Sequence, residues 1–324
     1  MYTLEQLTQI VKTEMDRHEY VEEPYSLFEP ITYILQNGGK MIRPLLTLMA
    51  YNIYRDDIEK ALKPAIGIEI FHNYTLLHDD VMDDASLRRG RPTVHKKWNM
   101  NVAILSGDAA AITAYKHIEY CEDRYLRRAI DGFNQVAMDV CKGQQYDMEF
   151  ETRDNVTEEE YIRMIYLKTA VLIAGSLRHG ALIAGAPEEE YNALYDFGGN
   201  LGLLFQLQDD YLDVYGDVSE FGKNIGGDIL ENKKTYLLIK ALETAVPQDR
   251  AELQQWFSGT SFDPAEKIRA VTAIYNRVGI SGIVQQKINY YLNKSKEVFE
   301  KIKAPEERKG MLLEMIDFID NRKK

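Results

Sequence analysis

Cysteine is nearly missing from the chain. Cys121 and Cys141 are the only two in 324 residues. They make neither a metal-binding spacing nor a disulfide framework, which fits a reducing, cytoplasmic setting. Long apolar runs are missing as well. The most apolar stretch, residues 170–186, is interrupted by Arg178 and His179, so no membrane span is expected. The first residues, MYTLEQLTQIVKTEMDR, lack the apolar core of a signal peptide. Nine prolines and 21 glycines lie scattered, too few for a long disordered linker. Positive charge is in deficit: 39 Lys and Arg against 51 Asp and Glu give a net charge of −12. That balance argues against nucleic acid as the main partner, and it requires any polyanion site to carry its own local cations. Alternating Val-Ile-Thr runs bounded by turn dipeptides are also missing, so the pattern predicts no convincing strand.

What remains is helical nearly throughout. Thr157-Glu158-Glu159-Glu160 reads as a capping box, with Val156 and Tyr161 placed for a hydrophobic staple. Asp263-Pro264 reads as an N-cap followed by proline at the first helical position. Breaks fall near Asn37-Gly38-Gly39, Gly90-Arg91-Pro92, Gly185-Ala186-Pro187, Gly226-Gly227 and Val246-Pro247. Between them lie helices of roughly 10 to 25 residues, the lengths used in a bundle. The chain is long enough to bury a sizeable core, and one all-α domain over residues 1–324 is expected.

Two acidic clusters stand out. LLHDDVMDD carries Asp79, Asp80, Asp83 and Asp84; QLQDDYLDVYGD carries Asp209, Asp210, Asp213 and Asp217. On a helix, like charges at this spacing repel. A divalent cation is the simplest offset. Gln206, Asp210, Asp213 and Asp217 would form one polar stripe, while Leu201, Leu204, Phe205 and Leu212 supply apolar contact. All-oxygen ligands of this kind suit magnesium, which keeps several waters and shares phosphate oxygens. One such cluster is often a solvated face, but two copies in otherwise apolar helices are hard to read that way. Basic residues accompany them: Lys40 and Arg43 after a glycine turn, Arg88 and Arg89 past the first cluster, Lys168 beside Thr169, and Lys223 and Lys233 after the second. Singly each is ordinary surface; together they supply the donors a phosphate site needs.

GGKMIRP, HDDVMDDASLRRGRPTVH, LKTA, FQLQDDYLD and FGKNIGGDILENKKT follow one another between residues 38 and 235. In this order they resemble the trans-isoprenyl diphosphate synthases. The resemblance implies a single large helical bundle around a deep central cavity, with the two aspartate motifs facing each other at its mouth, and a homodimer. It implies magnesium, three ions per active site, held by Asp79, Asp80, Asp83, Asp209, Asp210 and Asp213 and bridging an allylic diphosphate. Arg88, Lys168 and Lys223 would donate to that diphosphate, with Lys233 as a helper. Lys40, Arg43, His72 and Arg89 would hold isopentenyl diphosphate. Lys168, Thr169 and Gln206 would set dipoles beside a developing carbocation. Met41 departs from the family, which has a second arginine there, and Asn232 stands where glycine is common.

The implied reaction joins isopentenyl diphosphate to dimethylallyl, geranyl or farnesyl diphosphate. Its product length should depend on the helix that carries Asp79, since one isoprene unit is about as long as one helical turn, roughly 5 Å. Tyr74 lies five residues before Asp79, Thr75 four and Phe71 eight. One aromatic at the fifth position resembles geranylgeranyl-type enzymes, and farnesyl diphosphate is the neighbouring alternative. Plain core packing is the other reading of Tyr74. Rival functions fit less of the chain. A non-catalytic partner subunit usually lacks one of the motifs; a metal phosphohydrolase built on His78-Asp79 explains neither DDYLD nor GGKMIRP. A cyclising terpene synthase has a differently composed second metal motif. The basic end, Asn321 to Lys324, either closes over the site or is a solvated terminus.

Overall fold

The computed structural model describes residues 2–17, 19–216, 225–258 and 262–321. Among them nearly all regular structure is helical. The chain divides into two compact units. One comprises residues 1–134, 175–194 and 303–311; the other comprises residues 135–174, 195–302 and 312–324.

The first unit begins with α1 (Leu4–Arg17), α2 (Tyr25–Leu35), α3 (Ile42–Tyr54) and α4 (Glu59–Met82). A hairpin of β1 (Leu87–Arg88) and β2 (Arg91–Pro92) follows, then α5 (Val94–Lys97), α6 (Met100–Ile118) and the start of α7 (Asp123–Glu151). Helix α3 is buried on all sides: from Ile42 to Ile53 every residue except Arg43 is buried. Such a helix forms the centre of a core rather than one wall. Its polar residues are satisfied, Thr47 Oγ1 donating to Arg43 O at 3.0 Å and Asn52 Nδ2 to Tyr2 O at 2.9 Å. Helix α4 packs against both α3 and α6. On α6 the buried residues include Ala103, Ala110 and Ala114, small enough for close helix approach.

The chain continues through α8 (Glu158–Ile165), a π-helical turn (Tyr166–Ala170), α9 (Val171–Ile183) and α10 (Glu188–Tyr215). It ends with α11 (Gly227–Leu230), α12 (Tyr236–Thr244), α13 (Pro247–Ser258), α14 (Pro264–Val278), α15 (Ile280–Phe299) and α16 (Glu306–Asp320). In the second unit α12 packs against α8, α14 and α15. Helix starts read from the sequence are present. Thr157 N donates to Glu160 Oε2 at 2.9 Å and Glu160 N to Thr157 Oγ1 at 3.3 Å, which closes the capping box. Asp263 Oδ1 accepts from Glu266 N at 2.8 Å, with Pro264 opening the helix.

Two features depart from the expected pattern. Helices α7 and α10 run to 29 and 28 residues, longer than the breaks suggested. The hairpin adds a pair of strands, each only two residues long, which is too short for alternation to show. Its turn residues Arg89 and Gly90 both have left-handed backbone, φ 52° and 77°. That is the two-residue turn whose twist matches paired strands.

His179, on α9, is buried, and burial pushes its pKa down to about 4. The unfolded chain, with an ordinary value of about 6.5, then binds the proton more tightly than the folded one. Stability is therefore full above pH ~6.5 and is lost as pH falls toward 4, by about 2 kcal/mol between pH 7 and 5. Denaturant titrations at those two pH values check this, and His179→Leu should flatten the dependence.

Candidate active site

In the first unit, α4 ends at Met82, so Asp79 and Asp80 lie in its last turn and Asp83 caps it. Carboxylates at a helix C-terminus face the negative end of the helix dipole, an arrangement that favours a nearby cation. Asp80 is 2% exposed, and its carboxyl is pushed above its ordinary pKa by burial, with Arg88 opposing the shift. Arg88 meets Asp80 Oδ1 through Nε at 2.7 Å and Nη2 at 2.6 Å. The hairpin that carries Arg88 is held by Asn37, whose Nδ2 donates to Arg88 O at 2.9 Å. Tyr33 also anchors it, its hydroxyl donating to Pro92 O at 2.8 Å. Asp84 has left-handed backbone and pairs with Lys96 at 2.6 Å, away from the buried carboxylate.

Four residues expected to bind a second diphosphate also belong to this unit. Lys40 is exposed, Arg43 opens α3, His72 lies on α4 and Arg89 sits in the hairpin turn. Burial and the charges of Arg43, Arg89 and Arg88 hold the His72 pKa well below its ordinary value, so its imidazole is neutral at pH 7. It offers a hydrogen bond there, not a charge. Farther up α4, Phe71 is fully buried and meets Phe133 edge to face, ring centres 5.0 Å apart. Tyr74 is half-buried between Phe71 (5.3 Å) and His78 (4.8 Å). The Thr75 hydroxyl is tied to His72 O at 2.7 Å.

In the second unit, α10 carries Gln206, Asp209, Asp210 and Asp213. Asp210 is 4% exposed. It accepts from the Tyr161 hydroxyl of α8 and, at 3.0 Å, from Gln206 Nε2. Gln206 Oε1 in turn accepts from Thr169 Oγ1 at 3.0 Å. Beside Thr169 in the π-helical turn, Lys168 pairs with Asp147 of α7 at 2.6 Å. Asp213 accepts from Asp228 N at 3.0 Å, and Lys233 pairs with Glu231 at 2.9 Å. Burial, and next the charge of Asp228, push the Asp210 carboxyl up to about 8. A divalent cation beside it would hold it ionised.

The carboxylates are oxygen donors of the kind magnesium takes. Among the described residues no three His, Cys, Asp or Glu side chains are gathered closely enough to hold a metal ion by themselves. Spaced carboxylates that leave positions for water and phosphate oxygens are what magnesium takes. Of the expected stripe Gln206, Asp210, Asp213 and Asp217, the first two are joined by a hydrogen bond, and Gln206 also meets Thr169. Lys223 and Asp217 lie outside the described residues, as does the tail from Arg322 to Lys324. Asn232, where the resemblance suggested glycine, has left-handed backbone (φ 58°), which glycine and asparagine tolerate best. Met41 too is left-handed, at the start of α3.

Asp147, Tyr161 and Asp228 are the functional neighbours that sequence reasoning missed. Asp228 stood inside a quoted motif, and Tyr161 was read only as a staple. Asp147 had no signal, being one carboxylate among several on the polar side of α7.

Residues 24–275 match the polyprenyl synthetase family model. The chain is 37% identical over 301 residues to a short chain isoprenyl diphosphate synthase of Methanothermobacter thermautotrophicus, covering 92% of this chain and 91% of that one. It superposes on a crystal structure of a geranylgeranyl pyrophosphate synthase with a TM-score of 0.94, at 43% identity and 100% coverage of both chains. A geranylgeranyl pyrophosphate synthase from Corynebacterium glutamicum, solved with isoprenyl diphosphate and magnesium, matches with a TM-score of 0.84 at 27% identity, over 99% of this chain and 97% of that one.

Proposed function

The chain belongs to the polyprenyl synthetase family, and from that premise we propose which of its residues carry out the chemistry and how long a product they make. It is a prenyltransferase that joins isopentenyl diphosphate head-to-tail to an allylic diphosphate, giving a short all-trans prenyl diphosphate. Geranylgeranyl diphosphate is the favoured product, and farnesyl diphosphate is the alternative. A non-catalytic partner subunit is disfavoured because both aspartate clusters keep their cations.

Magnesium is the metal of the family, and bound here it would neutralise charge on the leaving diphosphate. Asp79, Asp80, Asp83, Asp209, Asp210 and Asp213 would hold it, with three ions per site as the proposed number. Arg88, Lys168 and Lys223 donate to the allylic diphosphate, with Lys233 as a helper. Arg88 and Lys168 are already paired to Asp80 and Asp147, so their charges are oriented before substrate arrives. The allylic carbon–oxygen bond breaks and its electrons leave with diphosphate. The isopentenyl double bond then attacks the cation, and a proton leaves to the departed diphosphate. Thr169 and Gln206 present oxygen dipoles to the developing positive charge. The observation that carries this assignment is the hydrogen-bonded run Thr169–Gln206–Asp210, which links a dipole pair to a carboxylate suited to a cation.

Lys40, Arg43, His72 and Arg89 bind isopentenyl diphosphate. Both units act together as one prenyltransferase domain. The exposed apolar side chains of Met100, Ile104, Leu105 and Ile112 on α6 support a homodimer, which sedimentation would test. No helix among the described residues is long and apolar enough to cross a membrane, and the two unpaired cysteines accord with a cytoplasmic enzyme.

The test is incorporation of labelled isopentenyl diphosphate with each of the three allylic starters, with magnesium and with a chelator. Extension to twenty carbons is expected only with magnesium; no incorporation from folded protein overturns the reading. Tyr74→Ala should lengthen the product by at least one isoprene unit, read by chromatography of the dephosphorylated products. Phe71→Ala should instead cost stability, about 3–5 kcal/mol, because that ring is fully packed.

A further inference from the structure

Lys267, on α14, is 5% exposed. An ammonium that deep is costly unless a partner takes its hydrogen bonds. Here Nζ donates to the side-chain oxygen of Asn232 at 2.5 Å, and the Phe257 ring of α13 has its centre 5.2 Å from the same atom. Asn232 is the left-handed residue just past α11, at the position where the resemblance suggested glycine. Glycine would adopt the same backbone but offer no side chain for the lysine to hold. The turn is closed by its own backbone. Asn232 N donates to Ile229 O at 3.3 Å, and Lys233 N donates to Asp228 O at 3.0 Å. Asp228 N donates in turn to Asp213 Oδ2 at 3.0 Å, and Gly226 N donates to Asp213 O at 2.6 Å. Ile268, next to Lys267, packs against the other end of α11: a Cβ on Gly226 would stand 2.7 Å from its Cγ1. Helix α14 thus grips α11 before its first residue and after its last.

Resting on the reading of Lys233 as a helper at the allylic diphosphate, we propose that Lys267, through its hydrogen bond to Asn232, is the positioning residue for Lys233. Lys233 follows Asn232 directly, and its half-exposed ammonium lies 2.9 Å from Glu231 and 3.7 Å from Asp228. With the turn fixed on α14, this side chain leaves the backbone from one place, within reach of the residue whose amide holds Asp213. A left-handed turn without that tether is strained for any residue with a Cβ and is free to relax. The diphosphate must then order Lys233 itself, and the ordering comes off the binding free energy. Lys267 also carries a positive charge, which attracts a polyanion whether or not Asn232 is there. A tether acts only through Asn232, so a double-mutant cycle separates the two.

The experiment measures kcat/KM for farnesyl diphosphate and KM for isopentenyl diphosphate in the magnesium-supplemented enzyme, for Asn232→Gly, Lys267→Met and the double variant. Asn232→Gly keeps the left-handed backbone and the charge of Lys267 and removes the tether. It should lower kcat/KM for farnesyl diphosphate about fivefold, the effect of leaving one long side chain to be ordered by substrate. The KM for isopentenyl diphosphate should stay within about twofold. Lys267→Met should give the same split, and the double variant should be no worse than the worse single one. Losses that multiply in the double variant mean that Lys267 acts through its charge, and they overturn the proposal. So does a parallel loss for both substrates, the mark of a general structural defect, and so does a parental kcat/KM for farnesyl diphosphate. The double variant leaves neither partner buried and unpaired. Should a single variant fail to fold, the double variant carries the test, and a parental kcat/KM in it overturns the role. Lys233→Met run alongside separates the two claims. If it lowers kcat/KM for farnesyl diphosphate while Asn232→Gly does not, Lys233 stands as a helper and the positioning role falls. If Lys233→Met changes nothing, the helper assignment itself falls, and the positioning role with it.

Discussion

Asp210→Ala should lower turnover by about a thousandfold or more and abolish the response to magnesium at concentrations that saturate the parent enzyme. Two effects of different size are at work, and their magnitudes separate them. Asp210 accepts hydrogen bonds from buried Tyr161 and half-buried Gln206, so its loss leaves two donors without their acceptor. That effect alone is bounded: a hydrogen bond to a charged group is worth about 1.5–3 kcal/mol, or roughly one to two orders of magnitude in rate. Tyr161→Phe therefore measures the supporting contribution and should cost no more than about a hundredfold. The remaining loss reflects the metal. Burial first, and then the charge of Asp228, push the Asp210 carboxyl up to about 8, a balance that a divalent cation corrects and a side-chain donor does not. Titration of turnover against magnesium decides the matter. A rate loss equal to that of Tyr161→Phe, with an unchanged magnesium midpoint, would remove Asp210 from the metal site.

Much of this site was legible because its signals are local. The capping box at Thr157 and the Asp263–Pro264 start depend on contacts within one turn, so spacing alone finds them. The stripe from Gln206 to Asp210 follows from helical periodicity, and the structure joins the two residues at 3.0 Å. What escaped was what the fold brings in from elsewhere in the chain. Asp147 reaches Lys168 across 21 positions and Tyr161 reaches Asp210 across 49; neither has a periodic or composition signature. The hairpin escaped for the opposite reason. Strands of two residues carry no alternation, and their information lies in the turn pair Arg89-Gly90, of which only Gly90 falls within an expected break. Asn232 shows that a departure from a family pattern can preserve the physics: the position requires left-handed backbone, and asparagine supplies it.

Gly143→Ala should be among the most damaging single-methyl changes in the protein, destabilising it by about 3 kcal/mol or more and lowering turnover in whatever remains folded. Gly143 lies on α7, one turn before Asp147, and a Cβ there would stand 2.5 Å from Lys168 Cα and nearer still to Lys168 N. A flexible side chain would swing away at small cost, but backbone has no such escape. The residues it would strike form the π-helical turn Tyr166–Ala170, whose extra residue per turn already displaces its hydrogen bonds. Its far side is held as firmly, since a Cβ on Gly202 of α10 would stand 2.5 Å from Ala170 Cα. Pressed from α7, the turn has to move against α10, or α7 has to withdraw and carry Asp147 away from Lys168. Either movement disturbs the 2.6 Å ion pair of Lys168 and the 3.0 Å bond from Thr169 to Gln206. Catalytic geometry held by contacts this close tolerates little displacement, and a shift of about 1 Å costs on the order of a hundredfold. Thermal denaturation and single-turnover rates read the two consequences separately. Near-parental melting and turnover for Gly143→Ala would mean that α7 and the π-helical turn separate freely, and that neighbouring backbone does not fix the positions of Lys168 and Thr169.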